Sequence, residues 1–366
     1  MLPDWNLPIR RRLCNWKSEP FALHFCFYVL CYEERGKRQT NGKDHQMAEK
    51  VRASRNRTVQ LSEADKVELL GKTLFPAGDM LLEKEVENRT LCGDFFQIAP
   101  LLPRNFADLI IVDPPYNLTK NFNGTLFCRK SAADYENYTR QWMQLIFPLI
   151  KPTGSVYVCC DWDTSLIVGR VLREFFHIRN RITWQREKGR GAAANWKNSS
   201  EDIYFATVGD KYTFNLDAVK IRRRVIAPYR CDGKPKDWVE SENGNFRDSC
   251  PGNFWDDITI PFWSMPENTD HPTQKPEKLL AKLILASSNE NDLVFDPFLG
   301  SGSTGVTAKK LSRRYCGVEI DPYFCACAEK RLLMADEDKS IQGFDGKIFY
   351  ERNSMPVKKV RKNQLP

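Results

Sequence analysis

No C-x-x-C pair occurs in the 366-residue chain, although it holds 12 cysteines. The nearest neighbours, Cys159–Cys160 and Cys325–Cys327, lie in apolar runs, where a free thiol packs as a small hydrophobe. That pattern speaks against a disulfide framework and the usual zinc spacings. No metal is expected, and the compartment reads as reducing and cytoplasmic. Histidine is scarce too. His24, His45, His177 and His271 are the whole supply, which leaves few candidates for imidazole catalysis. No apolar run reaches the ~20 residues of a membrane-spanning helix. The nearest approach, "FALHFCFYVLCY" at 21–32, is followed by "EERGKRQ" instead of the small residues of a cleavage site, so no membrane partner is expected. There is no internal repeat.

What is present is globular material: 42% hydrophobic and 12% aromatic residues. The net charge of +8 is unevenly spread, because residues 1–57 set 12 Lys/Arg against 6 Asp/Glu. The remainder is only mildly basic, a weak pointer to nucleic acid. Residues 1–57 are expected to be a basic extension, dispensable or disordered, with Met47 as an alternative start of synthesis. At the other end, 341–366 reads as a solvated basic tail ending in "VKKVRKNQLP".

Between these ends the pattern is α/β. "DLIIVD" (108–113) and "SVYVCCD" (155–161) run apolar without alternation, as strands buried on both faces do. "DYENYTRQWMQLIFPLIK" (134–151) and "SLIVGRVLREFF" (165–176) have helical period, with "PTG" stopping the first. "DIYFATV" (202–208) and "KYTFNL" (211–216), separated by Gly209-Asp210, read as a hairpin. Residues 217–270 lose regular period and fill with Arg, Trp, Pro, Gly and Asn, too long a stretch for an ordinary loop. Regularity returns with "HPTQKPEKLLAKLILASS" (271–288), strand "LVFD", loop "PFLGSGST", a helix, strand "YCGVEI" and a last helix capped at Asp321–Pro322.

Two constellations carry chemistry. The loop after "LVFD" spells G-x-G-x-x-G with Gly300, Gly302 and Gly305, and Glu319 ends the next strand where a ribose-binding acid belongs. On those residues a nicotinamide or flavin enzyme fits. Asp296 at the strand end argues otherwise, since its charge would repel a pyrophosphate and suits a cationic amine ligand such as S-adenosylmethionine (AdoMet). The second constellation is Asp113, Pro114, Pro115 and Tyr116, directly after "IIV". Asp113 can accept from an exocyclic amine, the fixed φ of proline aims the Pro114 carbonyl as a second acceptor, and Tyr116 offers a face for a planar base. Both motifs end strands, so both can face one cleft at the carboxyl edge of a sheet.

In these motifs the chain resembles the DNA amino-methyltransferases, AdoMet-dependent enzymes of restriction–modification systems. D-P-P-Y comes first, then a variable region, then "HPTQKP" and "FLGSG", the order of the β class. The likeness covers about residues 87–335, including "ITWQREKG" and "EDIYFATVGDKYTFN". It implies a Rossmann-like, doubly wound mixed sheet with an inserted DNA target-recognition region. It also implies methyl transfer to a flipped base, and an acidic first position, Asp113, is the usual form for adenine N6. By the same likeness Phe298, Gly300 and Gly302 shape the AdoMet loop and Asp296 faces the methionine ammonium. Glu319 takes the ribose hydroxyls, Asp94 the adenine, and Thr273 and Lys275 the methionine carboxylate. Trp184 and "KGRG" (188–191) could stack on or clamp the nucleic acid, or Trp184 could be core.

The expected division is then 1–57, a catalytic half at 58–187, a recognition insert at 188–270, an AdoMet-binding half at 271–340 and the tail at 341–366. In the insert, "KIRRR" puts Arg222, Arg223 and Arg224 in reach of phosphates, or leaves them a solvated loop. Over 186–270, 13 Lys/Arg meet 14 Asp/Glu, a balance suited to base readout more than to non-specific grip. Expected partners are double-stranded DNA, a second copy of the chain and, functionally, a restriction endonuclease. C5-cytosine chemistry, which typically uses a cysteine nucleophile in a Pro-Cys dipeptide, has no such dipeptide here. N4-cytosine transfer, an oxidoreductase and a catalytically dead DNA-binding homologue remain the alternatives.

Overall fold

The non-alternating apolar runs do become inner strands of one sheet, buried from both sides. The computed structural model describes residues 53–122, 125–186, 194–225, 229–241 and 244–352. In chain order the main elements are helix α1 (Glu63–Leu70), strands β1 (Arg89–Cys92) and β2 (Ala107–Val112), helix α2 (Ala132–Ile146) and strand β3 (Ile150–Cys160). Helix α3 (Ser165–Phe175) and strands β4 (His177–Gln185), β5 (Ser200–Thr207) and β6 (Phe254–Trp255) follow. The last are helix α4 (Glu277–Ser287), strand β7 (Leu293–Asp296), helix α5 (Ser303–Lys310), strand β8 (Arg314–Glu319) and helix α6 (Pro322–Glu337).

The eight strands lie in the order β1-β8-β7-β2-β3-β5-β4-β6. All neighbours run parallel except β5, which is antiparallel to both β3 and β4. This is the doubly wound mixed sheet that the sequence implied. Ile110 and Val112 pack into one layer with Trp142 and Ile146 of α2 and Leu172 of α3. Leu109 and Ile111 pack into the other, with Leu280, Leu283 and Ile284 of α4 and Leu332 of α6. Cys159 and Cys160 divide between the same two layers. Side chains alternate between faces, and both faces are apolar because both are covered by helices.

Local signals set the helix ends. Ser62 caps α1 in a capping box with Asp65, and Asp321 accepts from the Tyr323 N–H at 2.8 Å to start α6. Ser131 caps α2, accepting from the Asp134 N–H at 3.1 Å. The expected stop at "PTG" is misplaced: α2 ends at Ile146, and β3 already begins at Ile150 and runs through Pro152–Gly154. A register shift between Ala107 and Leu109 absorbs the irregular start.

Four expectations are corrected. "KYTFNL" forms no strand; "DIYFATV" finds its antiparallel partners in β3 and β4 instead. The stretch 217–270 contributes Ile221–Arg224, Val239–Ser241 and Gly244–Ser249 to a five-stranded sheet, completed by Phe344–Asp345 and Ile348–Tyr350. Ile348–Tyr350 pairs in parallel with Ile221–Arg224, so the start of the expected tail belongs to this sheet. The extension boundary at 57 also fails, because the Arg57 and Val59 N–H groups donate to the Trp263 and Asn268 carbonyls at 2.7 and 2.9 Å. Residues 1–52 with Met47, "KGRG" and "VKKVRKNQLP" lie outside the described residues.

One buried charge cluster joins α4 to Asp257 and to the Ile348–Tyr350 strand. The Lys282 ammonium donates to both Asp257 oxygens at 2.7 and 2.9 Å, and Lys278 donates to the Asp257 and Tyr350 carbonyls at 2.7 and 2.5 Å. Among the described residues, no helix is long and apolar enough to cross a membrane.

Candidate active site

Strands β7 and β2 are parallel neighbours, with Val294 opposite Leu109 and Phe295 opposite Ile110. Their carboxyl ends therefore release Asp296 and Asp113 side by side at one edge of the sheet. A cavity of about 300 Å³ opens there, walled by Asp113–Tyr116 on one side and by Asp296, Phe298, Gly300 and Glu319 on the other. Asp94, Thr273 and Lys275 also line it. The two constellations share one cleft.

The glycine loop is held from below. Glu319 accepts from the Gly300 N–H and the Asp321 N–H, each at 2.8 Å, and Asp296 accepts from the Phe298 N–H at 2.9 Å. Burial raises both carboxyls to about 7. Two such acids in one wall are a costly arrangement that a cationic ligand would relieve. Phe298 is fixed against Phe95 and Trp142, with ring centroids 5.6 and 6.3 Å away. Asp94 accepts from the Phe96 N–H at 3.0 Å, which turns the chain after β1 toward the cavity.

Gly302 does not shape the cavity wall directly. Its φ is 85°, and an added Cβ would stand 2.6 Å from the Ala328 Cβ of α6. Its smallness lets the loop close on α6. Gly300, at φ +56°, faces the cavity side, where a Cβ would meet the His271 ring at 3.0 Å. Burial, with Lys275 and Lys120 nearby, lowers His271 to about 3, so its imidazole is neutral at physiological pH.

The D-P-P-Y residues are gripped on every side. The Tyr135 hydroxyl of α2 donates to the Pro115 carbonyl at 3.1 Å. The Tyr116 hydroxyl lies 3.0 Å from Asp113 Oδ1 and 3.2 Å from Glu201 Oε2. The Lys275 ammonium donates to Asp113 Oδ2 at 2.6 Å and to the Tyr116 hydroxyl at 3.2 Å, and it is 3.4 Å from Glu201 Oε2. Glu201 in turn pairs with Arg186. The sequence resemblance put Lys275 toward the cofactor carboxylate. The structure places Lys275 in the wall of the shared cavity, with its ammonium on Asp113.

Glu201 and Arg186 were not singled out from sequence. Glu201 is the second residue of β5, and only the antiparallel direction of that strand brings its first residues to the edge where β2 and β3 end. An acid–hydrophobic boundary such as "SEDIYF" does not announce strand direction. Trp184 is core: it is 1% exposed and its indole N–H donates to the Ile258 carbonyl at 3.1 Å.

The expected cluster of three cations is largely compensated. Arg222 makes a bidentate pair with Asp248 at 2.8 and 2.7 Å, and Arg223 lies 3.8 Å from Glu351. Arg224 is the exposed member. Sheet pairing explains this, since Asp248 stands directly opposite Arg222 on the neighbouring strand.

Residues 107–330 match the model of a protein family described as DNA methylase, the N6 and N4 methyltransferases. The chain is 31% identical over 263 residues to the type II methyltransferase M.HpaI of Haemophilus parainfluenzae, covering 71% of this chain and 77% of that one. It is 32% identical over 254 residues to the DNA adenine methyltransferase YhdJ of Escherichia coli (strain K12), covering 66% and 82%. Among solved structures it is similar to the M1.HpyAVI–SAM complex, at 25% identity and a TM-score of 0.44 over 66% of this chain and 98% of that one. With D-P-P-Y, the glycine loop and "HPTQKP" gathered on one cavity, this chain belongs to the DNA methylase family.

Proposed function

We propose that the protein transfers a methyl group from AdoMet to the exocyclic N6 amine of adenine in double-stranded DNA. The observation that carries this reading is the shared cavity, where Asp113 and the paired acids Asp296 and Glu319 face the same space. The fit to AdoMet rests on those buried carboxyls, held at about 7 and ready to ionise beside a cation. Asp296 would face the methionine ammonium, Glu319 the ribose hydroxyls, and Asp94 and Phe298 the adenine side, with Gly300 and Thr273 completing the wall. When bound, AdoMet supplies a methyl group on a sulfonium, already a good leaving group.

The chain's own contribution is positioning and electrostatics. Asp113 accepts from the target amine, and the Pro114 carbonyl is the second acceptor, so the nitrogen lone pair points along the transfer line. The amine becomes acidic only as its new bond forms, so Asp113 need not be a strong base. The target base must leave the duplex to reach this depth, which makes base flipping part of the reading. The acid at the first motif position and the 32% identity to an adenine methyltransferase both favour adenine over N4-cytosine.

Residues 188–270, with Arg222, Arg223 and Arg224, supply target recognition in this reading, and Arg224 is the most accessible of the three to phosphate. Functional pairing with a restriction endonuclease follows from the kinship with M.HpaI, whose name makes it a type II methyltransferase. A homodimer and a cytoplasmic location belong to the same reading. The test is transfer of tritium from methyl-labelled AdoMet to duplex DNA, followed by nucleoside analysis. N6-methyladenine is the expected product. N4-methylcytosine would overturn the choice of base, and no transfer would overturn the reading.

A further inference from the structure

Asp113 is assigned to the target amine, yet its Oδ2 already accepts from Lys275 at 2.6 Å and its Oδ1 lies 3.0 Å from the Tyr116 hydroxyl. Both oxygens of the acceptor are engaged. An incoming amine must share or take over one of them. Lys275 is the stronger competitor, being a buried ammonium held by a charge-assisted bond. Such a cation cannot simply let go of its counter-ion, because a buried ammonium without an anion is costly.

Glu201 supplies the alternative. Its side chain is 5% exposed, and its Oε2 lies 3.4 Å from the same ammonium, too long for the main bond but within a small side-chain shift of one. It is also 3.2 Å from the Tyr116 hydroxyl and is itself steadied by Arg186. Resting on the functional reading above, we infer that Glu201 is a positioning residue. It receives the Lys275 ammonium when the base amine claims Asp113, so that lysine and carboxylate exchange partners without a bare charge. Lys275 then guards Asp113 until a donor of the right geometry arrives, and Tyr116, touching all three groups, keeps the exchange in register.

The experiment uses the full chain and a duplex carrying its mapped target site. It compares wild type, Glu201→Gln and the double variant Glu201→Gln/Lys275→Met in single-turnover transfer, AdoMet binding and DNA binding. Gln keeps the shape of Glu201 but cannot neutralise an ammonium, so transfer should slow by at least about fivefold while the dissociation constants for AdoMet and DNA move by less than about threefold. Removing the ammonium as well abolishes the need for a second anion. The double variant should therefore be faster than Glu201→Gln alone, a rescue that a merely structural role for Glu201 would not give. A smaller loss in Glu201→Gln, or a double variant no faster than it, overturns the exchange. If Glu201→Gln does not fold, Lys275→Met alone decides: transfer within about thirtyfold of wild type supports the exchange, and a greater loss with AdoMet binding intact overturns it. An inactive wild type would overturn the functional reading itself, which separates the two failures.

Discussion

Gly302 and Ala328 touch so closely that no side chain fits between them: a Cβ on Gly302 would lie 2.6 Å from the Ala328 Cβ and 2.8 Å from its Cα. The glycine also sits at φ +85°, where an L side chain is strained. Gly302→Ala should therefore cost about 2–4 kcal/mol of stability, from strain plus overpacking. Urea unfolding checks the loss, and the fraction that remains folded should bind AdoMet within a few-fold of wild type. Normal stability with lost cofactor binding would return Gly302 to the cavity wall.

Asp113→Ala should lower methyl transfer by at least about a hundredfold, because it removes the acceptor that orients the amine. AdoMet affinity, measured by equilibrium dialysis, should change only a few-fold, since Asp113 faces the other ligand. Near-normal turnover would sink the assignment.

Cofactor affinity should rise with pH. Burial lifts the Asp296 and Glu319 carboxyls to about 7, so below that pH they are neutral acids and above it anions. Only the anion attracts the methionine ammonium. Between pH 8 and pH 6 AdoMet binding should weaken by about tenfold for one such group, and Asp296→Asn should flatten the profile. The stability sign is opposite. Folded values above the unfolded ones give a contribution that is full below about pH 4 and lost as pH rises through 7. The gain in melting temperature on adding AdoMet should accordingly grow over that range. A pH-independent affinity would mean that neither acid meets the cation.

Arg222 and Arg224 should behave differently on DNA. Arg222 is committed to Asp248, whereas Arg224 is exposed. Arg224→Ala should reduce the slope of log binding constant against log salt by about one, and Arg222→Ala by less. Equal flattening would show that the Arg222–Asp248 pair opens on DNA.

The strands next to the site were legible because "LIIV" and "LVF" are short apolar runs without alternation, bounded by turn residues, as strands buried on both faces are. Asp113, Asp296 and Glu319 were legible because each ends such a run, and parallel strands deliver their ends to one edge. Glu201 and Arg186 were not, because their place depends on the direction of β5, which no local residue encodes. The second sheet was hidden for a related reason: its strands are short and half-exposed, and two of its five come from beyond residue 340. Lys275 was legible as a residue of the cleft, but its bond to Asp113 was not. Position in "HPTQKP" fixes where its backbone runs, while its long side chain goes to the nearest buried anion.

The parallel pairing of Ile348–Tyr350 with Ile221–Arg224 has a consequence for how the molecule is made. Ile221–Arg224 leaves the ribosome more than a hundred residues before its partner, and until then its edge offers open backbone to any neighbouring chain. Lys278 waits for the same event, since the Tyr350 carbonyl is one of its acceptors. The small sheet is thus closed by a strand synthesised more than a hundred residues after the one it pairs with. A graft that exchanges residues 217–270 between relatives must bring 344–350 with it, or it will leave an unmatched strand and a buried lysine short of an acceptor.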